Sequence, residues 1–140
     1  MSLETTTERI FQYKNVTDPN IILFINDVAS VAHELGRTYA TMNGILVHPP
    51  FAELPEWRQD SVKEEIFKIL DHQIESPTQA HESWVDNMYA EGWRYGAQLD
   101  TEKKEHPNLC QWDDLTEIER FKDVLFFTAV RTMMNFHKIP

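Results

Sequence analysis

Apolar residues return at helical spacing in four separated stretches of the chain, and each stretch carries its own start and stop signals. The first opens at Asp18-Pro19, an N-cap residue followed by proline at the first helical position. Ile21, Leu23, Phe24, Val28, Val31, Ala32, Leu35 and Tyr39 then mark one face of a helix that should end by Gly44. Leu54-Pro55-Glu56 signals a second helix through Val62, Ile66, Ile69 and Leu70, with acidic residues toward its front. Ser76-Pro77 repeats the cap-then-proline signal for a third helix containing His81, Trp84, Met88 and Tyr89, stopped at Gly92. The capping box Thr116-x-x-Glu119 starts a long last helix carrying Ile118, Phe121, Val124, Leu125, Val130 and Met133. Between the third and fourth helices lie about twenty residues, Trp93 to Leu115, with Pro107 and two short aromatic segments suited to a small hairpin or irregular strands.

The predicted fold is therefore mainly α: two antiparallel helix-loop-helix units, four main helices in all, with short β or irregular segments in the 93–115 connector. Residues 1–17 form an N-terminal extension, and 18–140 a single domain with halves at 18–75 and 76–140. The halves echo one another. Ala32-His33-Glu34 precedes Gly44 by the spacing with which Ala80-His81-Glu82 precedes Gly92; His48-Pro49 answers His106-Pro107, and Phe51 to Glu56 answers Trp112 to Glu117. A pseudo-twofold arrangement follows if the echo is a duplication, although short matches of this kind also arise by chance.

At 140 residues with 41% hydrophobic content the chain can bury a core without staples. Its formal charge of −10 is shared by both halves, 6 basic against 12 acidic residues in 1–75 and 7 against 11 in 76–140, which argues against nucleic-acid binding. A single cysteine, Cys110, rules out an intrachain disulfide framework and fits a reducing, cytoplasmic setting. The longest apolar run, Ile21 to Ile25, is too short to span a bilayer, and the polar first residues do not resemble a signal peptide, so no membrane association is expected. No histidine pair has metal-ligand spacing on a helix, and no thiol cluster exists, so neither metal nor cofactor is expected. The adjacent carboxylates Glu64-Glu65 and Asp113-Asp114 are read as surface groups, and no nucleophile elbow, phosphate loop or Cys-His pair supports an enzyme.

The connector carries the candidate chemistry. Glycines at 92 and 96 should hold Trp93 and Tyr95 on one side of an extended segment with Arg94 on the other. With Trp84 and Trp112 these aromatics could frame a base; Arg94, Lys103, Lys104 and His106 could meet phosphates, and Asp100 a ribose hydroxyl or ring amine. The competing account makes the aromatics core anchors and leaves Asp100 to cap a turn or pair with Lys104, and packing is the commoner use of a buried ring.

The order of these residues resembles the ryanodine receptor repeat, or RyR, domain. Trp84, Gly92, Trp93, Tyr95, Gly96, Asp100, Lys104, His106, Pro107, Leu109, Trp112, Leu115, Glu119, Arg120 and Asp123 stand where that family has its recurrent residues, over about residues 79–126. Met88 departs from the pattern, where many members carry lysine, and so does Thr116, which is often proline. The resemblance implies a non-catalytic module of the standalone phage, prophage or bacterial type, sitting in the cytoplasm of a bacterial host if phage encoded. It also implies a small nucleotide-like ligand as the first candidate partner. A protein partner facing the acidic surface is the alternative, and exposed apolar residues on the first or last helix would permit a homodimer.

Overall fold

The computed structural model describes residues 10–45 and 48–140. Residues 1–9, the larger part of the expected N-terminal extension, lie outside the described residues. Four helices make up the bulk: α1 (Pro19–Met42), α2 (Glu56–Leu70), α3 (Pro77–Ala90) and α4 (Glu117–Phe136). Two two-residue strands, β1 (Arg94–Tyr95) and β2 (Glu105–His106), lie in the connector. The mainly helical fold and all four helix starts agree with the sequence pattern.

The caps explain the boundaries. Asp18 Oδ1 accepts from Asn20 N at 2.9 Å ahead of Pro19, and Ser76 Oγ accepts from Gln79 N at 3.1 Å ahead of Pro77. Thr116 Oγ1 accepts from Glu119 N at 3.2 Å, but the Glu119 carboxylate turns to Asn108 Nδ2 and Lys122 Nζ, both at 3.0 Å. Half of the expected capping box thus serves the connector instead of the helix. α1 and α3 end in the same way. Gly44 and Gly92 take the left-handed φ of +70° and +90°, and the residue after each donates back to the last turn, Ile45 N to Ala40 O and Trp93 N to Met88 O, both at 3.0 Å.

The internal echo extends into hydrogen bonding. His33 Nε2 lies 2.8 Å from Pro49 O, and His81 Nε2 lies 2.7 Å from Cys110 O, so each ring donates to a carbonyl two residues ahead of a 3-10 turn. Those turns, Phe51–Glu53 and Trp112–Asp114, each offer an aromatic to the histidine, with ring centres 6.0 Å and 6.1 Å apart. Each half then continues through an extended leucine, Leu54 or Leu115, into its second helix.

The main core joins α1, α2 and α4. Phe24, Ile25, Val28 and Ala29 meet Ile66 and Ile69 and then Val130 and Met134, with Phe51, Leu54, Ile74 and Ala80 closing the ends. A second, smaller cluster of Met88, Trp93 and Leu109, flanked by Trp84 and Val85, anchors the connector to α3. At the other end of the chain a 3-10 turn, Gln12–Asn15, docks on α2: Tyr13 N donates to Glu64 Oε1 at 2.8 Å and the Tyr13 hydroxyl to Asp60. Glu64 is consequently buried, not a surface group as its neighbours in sequence suggested.

Candidate functional site

The connector is more folded than the sequence indicates, and its strands run parallel. Arg94 pairs with Glu105 and Tyr95 with His106, while Asp100 and Glu105 form an antiparallel bridge that closes the turn between them. The expected hairpin is thus confined to 100–105, and β1 joins its far edge. Two local features impose this course. Asp100 Oδ1 accepts from Lys103 N at 3.0 Å, and Lys104 adopts a left-handed φ of +57°. Gly96 then lies against β2 so closely that a Cβ there would stand 2.5 Å from Glu105 Cβ. Gly96→Ala is expected to cost about 1–3 kcal/mol through this overlap, read as a lower denaturant midpoint at unchanged slope.

The predicted aromatic pocket does not assemble there. Trp93 is buried in the second core cluster, whereas Tyr95 is 59% exposed, so the two rings do not share a side as the alternation implied. Arg94 and Lys104 bond carbonyls at and just beyond the end of α3. Arg94 Nη1 donates to Trp93 O at 2.6 Å and Tyr89 O at 3.3 Å, with its guanidinium 5.2 Å from the Tyr89 ring centre, and Lys104 Nζ donates to Glu91 O at 2.8 Å. A helix C-terminus gathers partial negative charge, which accounts for both cations. Asp100 caps its turn. His106 sits edge-on to Trp84, ring centres 5.0 Å apart, and its Nδ1 accepts from Asn108 N at 3.0 Å; burial lowers its pKa. Trp112 is half-buried against His81. Of the candidate residues, then, Trp84, Trp93 and His106 come together as packing, and Arg94, Tyr95, Asp100, Lys104 and Trp112 are distributed around them.

The chemically richest cleft is elsewhere, between α1, α2, α4 and the segment at His48. It encloses about 160 Å³ and is lined by His33 and Arg37 of α1, His48, Arg58 and Glu65 of α2, and Lys122 and Asp123 of α4, among others. The pull of burial is visible in every direction. It pushes the Glu65 carboxyl up to about 8, helped by the neighbouring Asp123 charge and opposed by Lys68. It raises Asp123 to about 7, with Lys122 opposing and Glu119 adding to the rise. It lowers His48 to about 4, and the positive charges of Arg58, Lys122 and His33 act in the same sense. Near neutrality the cleft therefore holds a protonated Glu65, an Asp123 about half ionised, an uncharged His48 and the cations Arg37, Arg58 and Lys122.

Two of those cations are already engaged. Arg37 Nε donates to His48 O at 2.8 Å and its Nη1 pairs with Glu34 at 2.9 Å, while Lys122 pairs with Glu119 at 3.0 Å. Arg58 is different: half-buried, it makes no side-chain hydrogen bond or ion pair with any of the described residues, and burial lowers its pKa. Sequence reasoning missed this group because its members come from four segments. One signal was present, since Arg58, Val62, Glu65, Ile66 and Ile69 share a helical stripe and place two charged residues on the core-facing side of α2.

His81 borders the same region from α3. Its Nδ1 stands 3.8 Å from Asp123 Oδ2 and its Nε2 is committed to Cys110 O, so it spans the connector and α4 and fixes the ring. Asp123, Glu119 and Arg120 lie on the first two turns of α4. Arg120 also holds the connector, donating to Leu115 O at 2.8 Å.

No curated protein matches the chain. The model of one family, the RyR domain, matches residues 65–137, from the middle of α2 through α3 and the connector to the last turn region of α4, and so just over half of the chain. That span takes in the second core cluster, the histidine that clasps the connector and the α4 carboxylates of the cleft: the chain belongs to the RyR domain family.

Proposed function

We propose that this is a non-catalytic RyR-domain module that captures a small nucleotide-like ligand by its phosphate, in the cleft between α1, α2 and α4. The half-buried guanidinium of Arg58, without a side-chain partner among the described residues, carries the reading. An arginine removed from water without an acceptor is costly, and a phosphate oxygen supplies the paired acceptors its planar fork fits. Around it, Lys122 and Arg37 add positive charge, and a protonated Glu65 can donate to an oxyanion where a carboxylate would repel it. The enclosed volume of about 160 Å³ is below the 300–1,000 Å³ of pockets that engulf a whole drug-sized ligand, so the phosphoryl end alone would be enclosed, with the base at the rim.

Thermal unfolding with adenosine monophosphate, ribose 5-phosphate and inorganic phosphate tests this. A ligand at about one hundred times its dissociation constant should stabilise the fold by about 2.7 kcal/mol, or roughly 8 °C for a chain of this size. Arg58→Ala should abolish the shift, and Tyr95→Ala should leave it intact. Absence of any shift, or one that survives Arg58→Ala and disappears with Tyr95→Ala, would return the ligand to the connector or remove it altogether.

A further inference from the structure

A furrow runs the length of α1 on the side away from the phosphate cleft. Two cavities of about 730 and 360 Å³ share Val31 and together follow α1, with Leu125, Met133 and the Pro50 to Ala52 turn on the opposite wall. Its floor exposes large apolar side chains in unusual number for one helix: Leu23 is 58% exposed, Val31 47%, Leu35 42% and Met42 79%. Val31, Leu35, Thr38 and Met42 stand three and four residues apart, the rhythm with which one helix receives another.

The charges in the furrow identify the occupant. Among the described residues the carboxylates lining it are Asp27 and Glu34, seven residues and so about 10 Å apart along α1; His137 lines the smaller cavity, and no described lysine or arginine lines either. Asp27 makes no ion pair or hydrogen bond through its side chain with any described residue, and Glu34 is held only from outside, by Arg37 and Thr38. A second copy of this chain would bring the same two carboxylates and another −10 of formal charge against them, which opposes self-association. We propose that the α1 furrow docks an amphipathic helix of a protein partner, its apolar stripe on Val31, Leu35 and Met42 and its flanking lysines or arginines at heptad spacing against Asp27 and Glu34. The surface is separate from the Arg58 cleft, and its occupancy does not depend on the phosphate reading.

The probe is a synthetic helix of about three heptads with leucine at a and d and lysine at e and g, compared with the same peptide carrying glutamate for lysine. Fluorescence anisotropy should show binding of the lysine peptide and not of the glutamate peptide. Leu35→Glu and Asp27→Lys should each weaken it about tenfold or more at unchanged thermal midpoints, since both positions are exposed. Glu102→Lys makes the same charge change on the exposed connector and should weaken binding less than about twofold. Arg58→Ala should bind the peptide as the parent chain does. Equal loss with Glu102→Lys and Asp27→Lys would reduce the effect to unspecific attraction and overturn the proposal. So would failure of the lysine peptide to bind, or a dimer in sedimentation that Leu35→Glu dissociates.

Discussion

Trp93→Ala is expected to lower the unfolding free energy by about 3–5 kcal/mol, while Tyr95→Ala, two residues along the same segment, should cost less than about 0.5 kcal/mol. The difference follows from where each ring lies. Trp93 is 8% exposed and fills the second core cluster with Met88 and Leu109, against Trp84 and Val85, and its backbone amide closes the end of α3. Truncating it leaves a cavity bounded by residues fixed from two sides, by α3 and by the connector, whose His106 ring lies 6.3 Å away. Tyr95 is 59% exposed and loses little contact on truncation. Against a usual total of about 5–15 kcal/mol, the first change takes a large share of the stability and the second almost none. Urea titrations followed by fluorescence and by circular dichroism decide between them. Similar small costs for both would mean that Trp93 is held for a ligand and not for the fold, and that the second cluster is not a core.

The same contrast shows what could be read from the chain and what could not. Helix ends were legible because they are local: Asp18-Pro19, Ser76-Pro77, Thr116, Gly44 and Gly92 each satisfy or terminate backbone hydrogen bonds within a few residues. The repeated histidine clasp was half legible. The spacing of His33 and His81 relative to Gly44 and Gly92 is in the sequence, but the carbonyls they bond are 16 and 29 residues away. Strand pairing in the connector was not legible, because two-residue strands carry no periodicity and the turn that aligns them depends on a left-handed lysine, where a glycine would have announced it. Charge made Arg94 and Lys104 candidates for a ligand, and the structure gives both a backbone partner, because α3 ends beside them and offers its carbonyls. The Arg58 cleft escaped notice for the converse reason. Glu65 looked like one more solvated acid beside Glu64, and only packing takes them out of the surface: α2 against α1 and α4 for Glu65, the docked Tyr13 turn for Glu64.

Glu65→Gln should leave stability nearly unchanged at about pH 4 and raise it increasingly as the pH climbs, by on the order of 3–4 kcal/mol near pH 9. The folded value of about 8 stands above the ordinary 4.5, so the native state retains a proton that the unfolded chain has released. Stability from that proton is complete below about 4.5 and is lost as the pH rises through about 8. Glutamine mimics the protonated acid in shape and hydrogen bonding, and it removes the cost of a charge burial disfavours. Asp123, raised to about 7, loses stability in the same sense, but its side chain is 37% exposed, so solvent screens much of its share. His48 acts on the opposite flank. Held down at about 4, it costs stability as the pH falls below 6.5, where the unfolded chain takes up a proton that the folded one refuses, and Glu65→Gln leaves that flank in place. Denaturant midpoints of parent and variant at about pH 5, 7 and 9 should therefore stay close at pH 5 and diverge progressively above it, with most of the difference already present at pH 7. Parallel curves would place Glu65 in contact with water and remove the protonated donor from the cleft. If instead the curves diverge, a phosphate bound beside Glu65 must hold that proton still more firmly. Its stabilising effect on the parent chain should then fade above about pH 8, while in Glu65→Gln it persists.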